Sequence, residues 1–361
     1  MVDPESSPEV VAPVLTIDLS AEDLTRLRAP GRPDPMWDTV LSLHLLQNRQ
    51  SALAFDPWRR QVRARIVEAG LTTTVAALAR LAPFASYFPD FLTPTPLPLA
   101  PWDGARPDGG GGPAGVEAAA DRVASTPRAR LARELAMTFR SGAPPWVRRI
   151  AAGEAEAMRW LAAALCRYHE VAVAPYAPVT RAALAADQEA RDAALRRGGV
   201  QGLMGSFDPL LRRDGGRWTG WYPVSHSLPL RGRPLTVVPS VFCVLAPVVL
   251  ADDSLDPVLV YPVDPAPGWV ARGGDGADGA ADDGAQVAHL IGPTRARVLE
   301  ALDTSRTTTE LARVLDLTPA TASRHATVLR EAGLVSSERQ GNRVLHTRTL
   351  LGDALLAGRV G

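Results

Sequence analysis

No lysine occurs in this chain; all 39 basic residues are arginine. That absence excludes the lysine of a P-loop, the strand lysine of a protein kinase and the Schiff-base lysine of pyridoxal or aldolase chemistry. The run Gly109–Gly112, with Pro107, Pro113 and Gly115 around it, is therefore read as linker rather than as a phosphate cradle. Cysteine is scarce as well. Cys166 and Cys243 alone cannot build a disulfide framework, and they suit a reducing cytoplasm. The first residues, Met-Val-Asp-Pro-Glu-Ser, have neither the basic start nor the apolar core of a secretory signal, so the expected location is cytoplasmic. The formal net charge is zero, so no global field draws the chain to nucleic acid or membrane.

Long apolar runs are missing too. Pro234 to Ala251 carries no charge, but Pro239, Ser240 and Pro247 interrupt it and β-branched residues dominate, which predicts buried strands and no membrane span. No Gly-x-Ser-x-Gly elbow is present, and Ser225-His226-Ser227 is too local for a triad. Cys166 and His169 lie three apart with Glu170 beside them, a spacing that could put two metal ligands on one helix face; two ligands do not make a site, and packing is the expected role. Asp275, Asp278, Asp282 and Asp283 fail the spacing of a calcium loop. The expectation is no metal, no cofactor and no enzyme.

What is present is concentrated near the C-terminus. Residues 288–361 hold 10 arginines against 7 acids, a local net charge of +3, so residues 1–287 carry the balancing −3. Thr307-Thr-Thr-Glu310 fits a capping box, and Leu311, Val314 and Leu315 continue as a short amphipathic helix. Asp316 to Thr318 form the turn. A second helix spans 318–332: Thr318 supplies the cap, Pro319 stands where a missing N–H costs nothing, and Gly333 stands where a left-handed turn ends a helix. Ala322, Ala326 and Leu329 make its apolar stripe. The opposite face carries Ala320, Thr321, Ser323, Arg324 and Thr327, small or hydroxylated groups and one guanidinium suited to phosphates and base edges. Residues 335–347 predict a two-stranded wing with Gln340-Gly341-Asn342 at its tip, flanked by Arg339 and Arg343, which are expected on the DNA backbone or in the minor groove. Pro293 to Leu302 and Leu350 to Ala357 supply a preceding and a closing helix. His325 lies beside the apolar stripe, which gives it a half-buried packing role or, as the alternative, a phosphate contact, with packing the expected one.

On these residues, 287–358 resembles the winged-helix domain of ArsR-type bacterial transcriptional regulators; Ser323-Arg324-His325 and Val328-Leu-Arg-Glu-Ala-Gly-Leu-Val335 carry the likeness. The resemblance implies a homodimer on double-stranded DNA, with two recognition helices in major grooves about 34 Å apart, and repression rather than activation. Metal-sensing members place thiolates at the start of the helix before the turn, where this chain has Thr307 and Thr309.

The rest of the chain predicts an α+β fold, mainly helical. Residues 1–266 read as a large N-terminal domain, 267–286 as a Gly/Asp-rich linker and 287–361 as the winged helix-turn-helix domain. Helices are expected over 36–47, 57–69, 74–81, 116–139, 146–170 and 179–197, with a flexible loop at about 93–115 and a small antiparallel sheet after residue 217. Pro35–Leu43, Phe88–Thr93 and Val238–Phe242 faintly resemble the N-terminal region joined to such winged helices in some actinobacterial regulators. That implies an accessory domain that senses a small-molecule effector or mediates dimerisation. Two alternatives of another class remain: an enzyme-like N-terminal domain under a DNA-binding module, or a winged helix turned to protein interaction.

Overall fold

The structure is a computed structural model of the 361-residue chain, and it describes residues 14–24, 26–30, 35–94, 99–101, 113–214, 217–266, 268–273, 290–302, 304–340 and 343–356. The fold is α+β and mainly helical, and it divides into two compact units, Met1–Asp264 and Pro265–Gly361.

The first unit runs β1 (Val14–Asp18), α1 (Ala21–Leu24), β2 (Arg28–Pro30), α2 (Pro35–Gln47), α3 (Ala52–Glu68), α4 (Thr72–Leu81), β3 (Leu99–Pro101), α5 (Pro113–Ala124), α6 (Arg128–Thr138), α7 (Pro145–Ala151), α8 (Ala155–Ala172), α9 (Ala177–Gly205), β4 (Arg212–Asp214), β5 (Arg217–Trp221), β6 (His226–Leu228), β7 (Thr236–Ser240), β8 (Val248–Val249) and β9 (Val258–Pro262). Its centre is α2, buried from Met36 to Leu45 on every face. A helix buried all round must find partners for its polar side chains. Ser240 Oγ donates to Asp38 at 2.6 Å, Thr39 Oγ1 meets His169 Nδ1 at 3.0 Å, and Ser42 Oγ meets the Tyr168 hydroxyl at 2.9 Å. Burial holds the His169 imidazole near a pKa of about 4, so it stays neutral in that contact. Arg59, 2% exposed, donates to the Leu45 and Gln50 carbonyls and to Asp56, capping the C-terminus of α2.

Several expectations need correcting. The small antiparallel sheet is two mixed sheets, ordered β4-β5-β1-β6 and β3-β2-β7-β9-β8, in which β1 runs parallel to β6, and β7 runs parallel to both β2 and β9. Strands from the first thirty residues are thus stitched to strands some two hundred residues later. The flexible loop at 93–115 contains β3, an edge strand where proline is tolerated. The 116–139 helix is two helices, because Pro127 disfavours helical backbone at Thr126. The 146–170 helix breaks before Gly153, whose φ is +67°. Pro57 lies inside α3, not at its start; the buried Phe55 and Trp58 on either side hold that turn despite the lost hydrogen bond.

The second unit runs α10 (Trp269–Arg272), α11 (Pro293–Glu300), β10 (Arg306–Thr307), α12 (Thr308–Leu315), α13 (Pro319–Glu331), β11 (Val335–Gln340), β12 (Arg343–Arg348) and α14 (Leu350–Leu356). The span read as linker, 267–286, includes α10, whose Trp269 and Val270 are buried; the four aspartates of that span lie outside the described residues. Ala296, Val298, Leu299, Leu302, Leu311, Leu315, Ala322, Leu329, Leu334 and Val335 form the core of this unit. The three strands are ordered β10-β12-β11, all antiparallel. Among the described residues, no helix is long and apolar enough to cross a membrane.

Candidate nucleic-acid interface

The interface is built from α12, the turn after it, α13 and the β11–β12 wing. Thr307 caps α12 as a full capping box: its Oγ1 accepts the Glu310 N–H, and Glu310 Oε2 accepts the Thr307 N–H at 2.7 Å. At the other end Asp316 takes a left-handed conformation (φ 55°), which Asp tolerates better than most residues, and Leu317 N–H returns to the Ala312 carbonyl at 2.8 Å. The chain reverses within three residues and enters α13.

Thr318 caps α13 by accepting the Thr321 N–H at 3.2 Å, with Pro319 as the first helical residue. Gly333 ends it. At φ +73° its N–H bonds the Arg330 carbonyl and the next N–H, of Leu334, bonds the Leu329 carbonyl, a paired closure that needs a left-handed residue. Ala322 and Ala326 are fully buried and Leu329 is 1% exposed, so α13 lies close on its neighbours by its small-residue stripe.

The opposite face is where the expected contact residues lie. Thr318, Ala320, Ser323 and Arg324 are exposed, while Thr321 and Thr327 are half-buried. Thr321 Oγ1 is 2.8 Å from Thr318 Oγ1, so those two hydroxyls act as a pair. Arg339 and Arg343 stand in β11 and β12, opposite Val344 and Gln340 in register, and Asn342 lies outside the described residues. His325 is half-buried at the edge of the stripe; desolvation first, then Arg324 and Arg295, hold its pKa below the ordinary histidine value.

Two residues escaped the reading of the sequence. His346 of β12 is 5% exposed, and its ring joins Ser337 Oγ on β11 (Nδ1, 2.8 Å) to Thr308 Oγ1 on α12 (Nε2, 2.9 Å). Burial and Arg330 depress its pKa, so the neutral ring bridges two hydroxyls. The alternation of β12 would have marked residue 346 as inward-facing, although not its partners. Thr349 is the second. Its hydroxyl donates to the Gly333 carbonyl at 2.8 Å and accepts the Gly352 N–H at 3.1 Å, tying α14 to the exit of α13.

The other sequence candidates do not assemble. Cys166 faces the Val116 carbonyl while His169 faces Thr39, so the two are not a ligand pair. His226 stacks beside Tyr222, with ring centroids 6.0 Å apart. Cys243 is sealed in the core with its thiol pushed up by burial. Among the described residues no group of three acidic, histidine or cysteine side chains could hold a metal ion.

Comparison with known proteins agrees with this geometry. No curated protein and no solved structure matches the chain. Residues 290–338 match a family described as a helix-turn-helix domain, the span from just before α11 into β11, and the match supports a DNA-binding regulator of the winged helix-turn-helix kind.

Proposed function

We propose that this protein is a sequence-specific transcriptional repressor of the ArsR type, acting as a homodimer on double-stranded DNA in the cytoplasm. The observation that carries the reading is the two-sided character of α13: a stripe buried to 0–1% exposure at Ala322, Ala326 and Leu329, and an outer face of small residues, hydroxyls and one arginine. A face of small side chains around a single arginine can approach base edges closely, and the guanidinium of Arg324 can bind guanine through two hydrogen bonds. In this reading Thr318, Ala320, Thr321, Ser323, Arg324 and Thr327 line the major groove, and Arg339, Asn342 and Arg343 of the wing touch backbone or minor groove.

The N-terminal unit is read as an accessory domain that senses a small-molecule effector or joins the dimer, rather than as an enzyme. Its buried polar groups support that reading, since Asp38, Asp90, Glu134 and Arg191 are each engaged in bonds that hold elements together.

Selection of bound duplexes from a random-sequence library tests the proposal. A symmetric dimer predicts an inverted repeat with half-site centres about one helical turn apart. Absence of any enriched sequence would contradict it.

A further inference from the structure

One cation beside the recognition helix comes from outside the helix-turn-helix. Arg295, the third residue of α11, is half-buried, and its Nη1 donates to the Ile291 carbonyl at 2.9 Å, which fixes the guanidinium against the chain just before its own helix. Its Nε is buried with no hydrogen-bond partner among the described residues. α11 packs against α13, and Arg295 is close enough to His325 to act on its charge.

On α13, His325 follows Thr321 by four residues and Thr318 by seven, so the three lie along one face with the helix N-terminus at their head. Arg324 is adjacent and exposed. Among the described residues neither Arg295 nor Arg324 has an acidic partner. Two unneutralised guanidiniums, a neutral imidazole, two hydroxyls and a helix N-terminus at one junction make a place for an anion.

We infer that Arg295 and His325 form a backbone-phosphate site at the α11–α13 junction, beside the base-reading Arg324, and that His325 takes up a proton when the phosphate binds. This rests on the DNA-binding reading above. In the free protein desolvation first, then the two cations that reach it, Arg324 on its own helix and Arg295 on α11, hold the His325 pKa below the ordinary histidine value. α12 and β11, the other elements packed on α13, carry Arg313, Asp316 and Glu338 at or near their ends, all exposed, and none of them is a source of the shift. A phosphodiester oxygen beside Arg295 reverses the local sign and supplies the acceptor for a protonated ring. The proton comes from solvent and no covalent bond changes.

The test uses the full chain and a mixed-sequence DNA duplex, with affinity measured by fluorescence anisotropy from about pH 8 to about pH 6, across the range where histidine titrates. The wild type is expected to bind more tightly as pH falls, by up to about tenfold for a one-unit difference between the free and bound pKa. His325→Gln should lose most of that tightening, so that its affinity changes little from about pH 8 to about pH 6. Arg295→Gln should bind more weakly throughout and flatten the salt slope by about one. Thermal melts of each variant report on the fold, and if Arg295→Gln melts early the His325→Gln comparison still decides. Equal tightening in wild type and His325→Gln overturns the site while leaving DNA binding intact. Failure of the wild type to bind at any pH or salt overturns both readings.

Discussion

His346 and Thr308 are hydrogen-bonded at 2.9 Å, and through this contact the wing is tied to the first turn of α12. The same ring holds Ser337 on the other strand, so one side chain links both strands of the wing to the helix-turn-helix. Replacing His346 with Ala leaves two hydroxyls without that partner and should cost the C-terminal unit about 1–3 kcal/mol, read from chemical denaturation.

The same residue predicts a pH dependence. Its folded pKa lies below the ordinary histidine value, so the unfolded chain binds the proton more readily. Stability is therefore full above about pH 6.5, the unfolded value, and is lost as pH falls toward and through the folded value. His346→Gln should lose less stability than the wild type on acidification across that window, measured as the denaturation midpoint at each pH.

Asp90 predicts the opposite sign. Its buried carboxylate accepts the N–H groups of Ala251 and Asp252, and desolvation, only partly offset by those bonds, raises its pKa to about 6. A raised folded pKa means that its protonation favours the fold, an effect fully present below the unfolded carboxylate value and lost as pH rises through about 6. Asp90→Asn should remove that pH dependence, so that the denaturation midpoint of the N-terminal unit no longer falls between about pH 4 and about pH 6 as it does in the wild type.

Two backbone positions should tolerate no side chain. Gly333→Ala places a Cβ at φ +73° and should cost about 1–2 kcal/mol in the melting of the C-terminal unit. At Gly352 an added Cβ would overlap the Leu334 carbonyl oxygen, so Gly352→Ala should displace α14 and lower the melting temperature as well.

The C-terminal unit was legible because its signals are local. Thr307 with Glu310, Thr318 with Pro319, and Gly333 each announce a helix end within four residues, and the Ala322–Ala326–Leu329 stripe gives the packing face. The bonds that join these pieces were not legible. His346 reaches Thr308 across 38 positions, and no spacing rule predicts such a contact. In the N-terminal unit the same limit is more severe. β2 finds β7, and Asp38 finds Ser240, across about two hundred residues, so helices appeared in the sequence while the mixed sheets did not. The breaks at Thr126-Pro127 and Gly153 were written in the sequence, but the alanine- and arginine-rich helical pattern continues across both.

In the proposed function the outer face of α13 binds DNA through Arg324. Its most direct test is a salt titration of duplex binding by the full chain, wild type against Arg324→Ala, on a duplex recovered by selection. Log K should fall linearly with log salt for the wild type, and Arg324→Ala should lose roughly 1–3 kcal/mol on the selected sequence. Salt-insensitive binding, or unchanged affinity and sequence preference in Arg324→Ala, would contradict it.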